Sequence, residues 1–152
     1  MKSFQDPIVA VVIGSNRGIG LALVRQLLVN PMVDVVYAGC RDPGFACDLD
    51  DLVKTYGTRV VPMAVDVTNS ESIEDLANRL EFDGAHPNLI VNCAGLLHDR
   101  DLQPEKRLED VTLGGLRRSF DINSIGSVLL MKAVKQLIPN QQRVVIANLS
   151  AR

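Results

Sequence analysis

Short apolar runs alternate with amphipathic stretches along most of this chain, and no other feature constrains its fold as strongly. The runs are apolar at consecutive positions, which is typical of strands that are covered on both faces. Strands of this kind alternating with helices predict right-handed crossovers and a parallel sheet. The five predicted strands are IVAVVIG, VDVVYAG, RVVPMAVDV, NLIVNCAG and RVVIANLS.

The amphipathic segment after the second run, FACDLDDLVKTYG, predicts a helix. Its apolar residues from Phe45 to Tyr56 fall on one helical stripe. Gly57 is its predicted C-terminal stop, since glycine adopts the left-handed conformation that ends many helices. Asp42 is its predicted cap, and Pro43 its predicted first position.

The other predicted helices are GIGLALVRQLLVN, TNSESIEDLANRL and one long segment near the C-terminal end of the sequence. Thr68 and Glu71 have the spacing of a capping box, which predicts that the second of these helices begins at Thr68. The last segment, from about Thr112 to Ile138, predicts one uninterrupted helix.

Size and composition exclude several classes of protein. The chain has 152 residues, 47% of them hydrophobic, which suits one domain over residues 1–152. A formal net charge of -2 argues against a nucleic-acid partner. The sequence has no long apolar run and no leader-like segment, so we expect no membrane span and a cytoplasmic location. Cys40, Cys47 and Cys93 form no CxxC pair and are interpreted as buried free thiols, and no metal site is expected.

The stretch VVIGSNRGIGLAL joins the first predicted strand to the first predicted helix. Glycines at this point permit a tight turn and remove the Cβ atoms that would hold a pyrophosphate away from the backbone. The helix that follows directs its free N–H groups and the positive end of its dipole at the same place. Gly14, Gly18 and Gly20 are therefore a predicted phosphate cradle. The alternative is a tight turn that binds nothing.

The Gly-x-x-x-Gly-x-Gly spacing resembles the glycine motif of the short-chain dehydrogenases/reductases. DVT at Asp66–Thr68 resembles the family segment whose acidic side chain contacts the adenine amino group. NCAG at Asn92–Gly95 resembles the family's Asn-Asn-Ala-Gly. FDINSIG places Asn123 where the family has an active-site asparagine, and NLSAR resembles the strand end beside the catalytic serine. These segments are most similar to the C-factor-like and carbonyl-reductase-like branch.

The resemblance implies an α/β fold, a Rossmann-type doubly wound parallel sheet with about five strands in the order 3-2-1-4-5. It implies that the C-terminal part of the family fold is absent. Asn123 and Ser150 are the candidate catalytic residues. The candidate cofactor-binding residues are Gly14, Asn16, Arg17, Gly18, Ile19, Gly20, Arg41, Asp66, Val67, Asn92, Ala94 and Gly95.

Arg41 follows the second strand, where the adenosine ribose of a dinucleotide lies. An Asp at this point would accept from both ribose hydroxyls, whereas an Arg offers a bidentate fork to a 2′-phosphate. Arg17, inside the glycine turn, adds a second positive charge. These residues favour NADP over NAD as the cofactor. The alternative is that both arginines are solvated surface residues.

The family's proton donor belongs to a Tyr-x-x-x-Lys motif on the helix after the fifth strand. This chain has only Tyr37 and Tyr56, and the residues four positions beyond them are Arg41 and Val60. The sequence ends where the catalytic helix would follow. We therefore expect the 152 residues to be a cofactor-binding portion without activity of its own.

The pair Ser150-Ala151 stands where family members commonly read Ser-Ser, with the second serine as the catalyst. Ser150 is therefore either the catalytic serine or its neighbour. The functional interpretation is an NADP-dependent oxidoreductase of a small carbonyl or alcohol in its full-length form, which the resemblance implies is a homo-oligomer, a dimer or a tetramer. The alternatives are a non-catalytic NADP-binding or C-factor-like signalling protein, and a flavodoxin-like nucleotide-binding module.

Overall fold

The computed structural model describes residues 7–96 and 105–150. Its five strands form one parallel sheet in the order β3-β2-β1-β4-β5. The predicted Rossmann-type sheet and its strand order are confirmed. The strands are β1 Ile8–Ile13, β2 Val33–Cys40, β3 Val60–Ala64, β4 Leu89–Asn92 and β5 Val145–Asn148.

Helices cover both faces of the sheet. They are α1 Gly18–Val29, α2 Cys47–Tyr56, α3 Ser70–Phe82, α4 Leu113–Phe120 and α5 Gly126–Lys135. One hydrophobic core lies under α1 and α2, and a second lies under α3 and α5. Within residues 7–96 and 105–150, none of the helices is long and apolar enough to cross a lipid bilayer.

The central strand β1 supplies side chains to both cores, which explains why its sequence is apolar at consecutive positions. Ala10 and Val12 belong to the core under α1 and α2, whereas Val11 and Ile13 belong to the opposite core. All four side chains are buried. A strand between two helical layers has no polar face, so its residues cannot alternate.

A long-range side-chain contact fixes the start of β1. Asn88, just before β4, is buried, and its Oδ1 accepts a hydrogen bond of 3.0 Å from the Val9 N–H. Its Nδ2 donates to the Pro7 carbonyl at 3.0 Å. One amide thereby sets the register between β1 and β4, although 79 positions separate Asn88 from Val9.

The long helix predicted over Thr112–Ile138 is interrupted. A π-turn over Asp121–Ile125 separates α4 from α5, and α5 ends at Lys135. Within the π-turn the Gly126 N–H donates to the Asp121 carbonyl. Such a wide turn keeps the direction of the helix and inserts a residue, so apolar periodicity alone does not reveal it.

The predicted capping box at Thr68 and Glu71 is wrong. Helix α3 begins one residue later than that box requires, because Asn69 is its cap: the Asn69 side chain accepts from the backbone N–H groups of Glu71 and Ser72. The Thr68 side chain bonds to Asp66 instead. The asparagine amide reaches the free N–H groups of the first turn, so the hydroxyl of Thr68 is not needed there.

The start predicted for the second helix is also wrong. Pro43–Phe45 forms a separate 3₁₀ turn, Asp42 makes no capping bond through its side chain, and the Phe45 side chain is 90% exposed. Helix α2 begins only at Cys47, which is exposed and not buried as interpreted from the sequence. Its end is as predicted, since Gly57 has a φ of 58° and closes the helix.

Candidate cofactor-binding site

A cleft of about 760 Å³ lies at the C-terminal ends of the strands. Its walls are the glycine turn after β1, the residue after β2, the segments after β3 and β4, and one face of α4. Since β1 pairs with β2 on one side and with β4 on the other, the chain reverses its direction of winding at β1. Open α/β sheets bind ligands at this switch point.

Two of the three motif glycines are required by packing. Gly14 has a φ of 78°, and a Cβ atom on it would lie 2.9 Å from the Ala94 backbone nitrogen. A Cβ atom on Gly20 would overlap the carbonyl group of Gly14. The absence of both side chains lets α1 approach the end of β1 closely.

Gly18 has a different environment. Its φ is 56°, and a Cβ atom on it would meet no protein atom within 4 Å. Gly18 lines the cleft, so the space beside it is open to a ligand. This is the arrangement expected of the predicted phosphate cradle.

The N-terminal end of α1 faces the same space. The first hydrogen bond of this helix runs from the Leu21 N–H to the Arg17 carbonyl, at 3.3 Å, and no side chain of the described residues caps the end. The N–H groups of Gly18, Ile19 and Gly20 therefore stay available, and all three residues line the cleft with Asn16. Free N–H groups and the helix dipole together bind anions.

Ser15, a residue that sequence reasoning missed, holds the glycine turn in place. It is fully buried, and its Oγ donates to the Gly39 carbonyl at 3.0 Å. The same carbonyl accepts from the N–H groups of Gly14 and Ser15 at 2.8 and 3.1 Å. The available signal was a small hydroxyl residue directly after the first glycine of a strand-to-helix turn.

The cleft is positively charged, although the whole chain has a formal net charge of -2. Four arginines and two aspartates line it: Arg17, Arg41, Arg117, Arg118, Asp66 and Asp121. Among the described residues, the guanidinium groups of Arg17 and Arg41 take part in no ion pair. Uncompensated positive charge in a cleft attracts anionic ligands.

Asp66 is fixed by a tight turn after β3. Its Oδ1 accepts from the Thr68 N–H at 2.9 Å and from the Thr68 Oγ1 at 2.7 Å. Its own N–H donates to the Ser72 Oγ at 2.9 Å. Its Oδ2 has no hydrogen-bond partner in the part of the chain that the structure describes, so this oxygen can accept from a ligand amino group.

Val67, also a predicted cofactor-binding residue, anchors the neighbouring helix. It is buried and lines the cleft. A Cβ atom on Gly126 would lie 2.6 Å from the Val67 carbonyl oxygen, so the start of α5 packs directly against this residue. This contact determines where α4 stands relative to the segment after β3.

The segment after β4 supplies Cys93, Ala94, Gly95 and Leu96 to the cleft wall. Asn92, predicted to bind the cofactor, does not line the cleft. Its buried side chain donates from Nδ2 to the Ser127 Oγ at 2.9 Å and accepts from the Ala94 N–H at 3.1 Å. Asn92 therefore positions the wall and does not form part of its surface.

The two candidate catalytic residues are not brought into the cleft surface. The Asn123 side chain lies in the π-turn and bonds to the Leu96 backbone. Ser150 is exposed and follows Leu149, which does line the cleft and whose N–H donates to the Asn92 carbonyl at 2.9 Å. The alternative catalytic position, Ala151, lies outside the described residues. Both catalytic assignments stay predictions.

The two cysteines of the cleft wall, Cys40 and Cys93, are unsuited to nucleophilic chemistry. Burial raises the pKa of the Cys40 and Cys93 thiols in the cleft wall, which keeps both in the weakly reactive neutral form. Tyr37 lies outside the cleft, and its hydroxyl donates to Asp83 at 3.0 Å. Across the two described ranges, no three His, Cys, Asp or Glu side chains are grouped as metal ligands.

Comparisons with known proteins place these observations in a family. A family model described as enoyl-(acyl carrier protein) reductase matches residues 13–152. The short chain dehydrogenase gsfK of Penicillium aethiopicum is 29% identical over 133 residues, covering 87% of this chain and 51% of that protein. Glucose 1-dehydrogenase 2 of Bacillus subtilis is 30% identical over 145 residues, covering 86% of this chain and 55% of that protein.

Solved structures share the fold. An NADPH-bound carbonyl reductase from chicken fatty liver superimposes with a TM-score of 0.77 at 28% identity, covering 87% of this chain and 48% of that one. The chain thus spans about half the length of the named relatives that it matches.

Proposed function

We propose that this chain, which belongs to the short-chain dehydrogenase/reductase superfamily, is the cofactor-binding portion of an NADP-dependent oxidoreductase. The observation that carries the proposal is the glycine turn at the switch point of the sheet, where an uncapped helix end and open space at Gly18 meet in one positively charged cleft. The proposed reaction of the whole protein is hydride transfer between the cofactor and a small carbonyl or alcohol.

Each part of the cleft suits one part of the dinucleotide. The N–H groups of Gly18, Ile19 and Gly20 suit the pyrophosphate. Oδ2 of Asp66 suits the adenine amino group, since an ionised carboxylate only accepts hydrogen bonds. The guanidinium of Arg41 can donate two hydrogen bonds to a 2′-phosphate, and Arg17 adds a second positive charge. This last pairing is the reason to propose NADP and not NAD, and a similar carbonyl reductase carries NADPH.

The nicotinamide ring supplies the hydride chemistry when the cofactor is bound. The residues of this chain hold the cofactor and shape the wall beside it through Ala94, Gly95 and Leu96. Neither Tyr37 nor Tyr56 lines the cleft, so neither is placed to donate a proton to a carbonyl there. General-acid catalysis contributes about 10²- to 10⁴-fold, and we propose that the 152-residue chain alone does not reduce carbonyls above background.

The position of the tyrosines also favours a second candidate, a non-catalytic NADP-binding protein with a signalling role. The two candidates agree on cofactor binding and differ on turnover. Robust NADPH oxidation with a panel of carbonyl compounds, proportional to the amount of the 152-residue chain, would contradict both the second candidate and the proposed lack of activity.

Binding is the direct test of the shared proposal. Titration of the purified chain with NADPH, followed by the fluorescence of the reduced nicotinamide, is expected to give saturable binding that is tighter than for NADH. FMN serves as the control for a flavodoxin-like site and is expected not to compete. If the folded chain does not bind NADPH, the proposed function is wrong.

We also propose that the protein is a homo-oligomer in the cytoplasm. Support for association comes from the exposed apolar side chains of α4, the π-turn, α5 and β5: Leu113, Leu116, Phe120, Ile125, Val128, Val145 and Ile146. Exposed apolar side chains in this number are typical of contact sites. The cytoplasmic location rests on the sequence alone.

A further inference from the structure

One wall of the cleft has no role in the assignments made so far. It is the face of α4 and the π-turn that carries Gly114, Arg117, Arg118, Asp121 and Ile122. The close contact of Gly126 with Val67 anchors this helical segment beside the end of β3. The segment lines the cleft together with Asp66–Thr68.

Arg117 is the exposed cation of this wall. Its guanidinium makes no hydrogen bond and no ion pair with any residue in ranges 7–96 and 105–150. Gly114, one helical turn earlier, presents no side chain, and a Cβ atom on it would meet nothing within 4 Å. The space beside the Arg117 side chain is therefore open on the cleft side.

Arg41 and Arg117 lie on segments that are continuous with helices on opposite faces of the sheet. The chain continues from Arg41 into α2, which packs over the first core. Arg117 lies in α4, which continues into α5, and α5 packs over the second core. Both arginines line the cleft together with Asp66. A flat group whose edge meets Asp66 would thus lie in the same cleft as the Arg117 guanidinium.

We propose that the guanidinium of Arg117 stacks on the adenine ring of the bound cofactor, an inference that rests on the proposed function. A guanidinium is planar and weakly hydrated, and it stacks on aromatic faces. The free Oδ2 of Asp66 accepts a hydrogen bond from the amino group at the edge of the adenine, and Arg117 covers the face of the ring. The 2′-phosphate is left to Arg41 and Arg17.

The test uses three probes, NADPH, NADH and ADP-ribose, all of which contain the adenine ring. Arg117→Ala is expected to weaken the binding of all three probes by a similar factor of about three- to tenfold, which is the range for a partly desolvated cation–π contact. Lys132→Ala removes an exposed cation of α5 outside the cleft and is the matched control, expected to change none of them. Circular dichroism melts of both variants are expected to match the parent, since both side chains are exposed.

Other outcomes separate the possible errors. A loss confined to NADPH would place Arg117 on the 2′-phosphate and overturn the stacking assignment. Unchanged affinity for all three probes in Arg117→Ala would also overturn it and would leave the proposed function intact. If the parent chain binds none of the three probes, the proposed function itself fails, and the stacking inference fails with it.

Discussion

The side-chain amide of Asn123 exchanges two hydrogen bonds with the backbone of Leu96. The Leu96 N–H donates to Oδ1 and Nδ2 donates to the Leu96 carbonyl, each at 2.8 Å. Both polar ends of the amide are therefore engaged within the protein. The side chain of Asn123 acts as a clamp that joins the π-turn to the cleft wall after β4.

The clamp predicts a specific sensitivity to charge. In Asn123→Asp a carboxylate oxygen would face the Leu96 carbonyl with no proton to donate. We expect the variant to lose about 1 to 2 kcal/mol of unfolding free energy, from the loss of the Nδ2 hydrogen bond and the repulsion between the carboxylate and the Leu96 carbonyl, as measured by urea denaturation at neutral pH. Asn78→Asp, on the exposed side of α3, is the matched control and is expected to stay near the parent. Equal stability of the two variants would contradict the clamp.

Gly18 and Gly57 allow backbone strain to be separated from ligand binding. Their φ angles are 56° and 58°, and a Cβ atom on either would meet nothing within 4 Å. Alanine should cost about 1 to 2 kcal/mol of stability at Gly18 and at least as much at Gly57, whose ψ is -130°, because a positive φ disfavours a Cβ. Only Gly18→Ala places a methyl group in the cleft. This variant alone is therefore expected to weaken the binding of NADPH, by at least tenfold. Equal NADPH affinity of the two variants in a binding titration would refute the phosphate cradle.

Arg41 is predicted to decide between the two nicotinamide cofactors. Loss of a partly desolvated arginine–phosphate pair costs roughly 1.5 to 3 kcal/mol. Arg41→Ala is therefore expected to weaken NADPH by about tenfold or more, and NADH far less. Lys135→Ala, an exposed cation at the end of α5, controls for net charge. Equal losses of affinity for NADPH and NADH would contradict the assignment of Arg41 to the 2′-phosphate.

Tyr37 predicts how stability changes at alkaline pH. Burial, and then the hydrogen bond to Asp83, raises the pKa of Tyr37 to about 12, from an ordinary value of 10.0. The folded state holds the phenol proton more tightly than the unfolded state does. The resulting stabilisation is fully present below pH 10 and is lost as pH rises from about 10 to about 12, by about 2 to 3 kcal/mol.

Denaturant melts at pH 9 and pH 11 check this dependence. The parent is expected to lose more stability between these pH values than Tyr37→Phe, which has no phenol to titrate at this position. Tyr56→Phe, at the chain's other tyrosine, is expected to keep the decline of the parent. A decline of the same size in Tyr37→Phe would show that other groups cause it.

The apolar surface of α5 and β5 predicts self-association of the chain. β5 is an edge strand in the sheet, and Val145 and Ile146 on it are 38% and 46% exposed. Such edges pair with other strands unless charge or proline blocks them. Light scattering at tens of micromolar is expected to give masses above 16.6 kDa. Ile146→Lys should lower the association, and a clean monomer of the parent would contradict the prediction.

The sheet and its strand order could be predicted because the apolar pattern of each strand reflects the faces on which that strand is covered. Val11 and Val12 are both apolar, since they enter different cores, and this pattern is visible in a few residues. The glycine turn was readable for the same reason. The sequence does not reveal the contacts of Ser15, Asn88 and Asn123. Their partners lie 24 to 81 positions away, and the sequence alone does not say which segments meet. The choice of Asn69 over Thr68 as a cap was local, but two neighbouring residues were both able to serve.

The contact between Asn88 and β1 has a consequence for protein synthesis. Asn88, which holds Val9, follows β1 in the chain and is 79 positions beyond Val9. At about 5 to 20 residues per second, the ribosome needs roughly 4 to 16 s to supply that partner. During this interval the central strand of the nascent chain has at most one of its two neighbours, with its other edge unpaired. The central strand of the finished sheet is thus the one that must wait longest for a neighbour, and a chaperone that binds short apolar segments has those seconds in which to bind it.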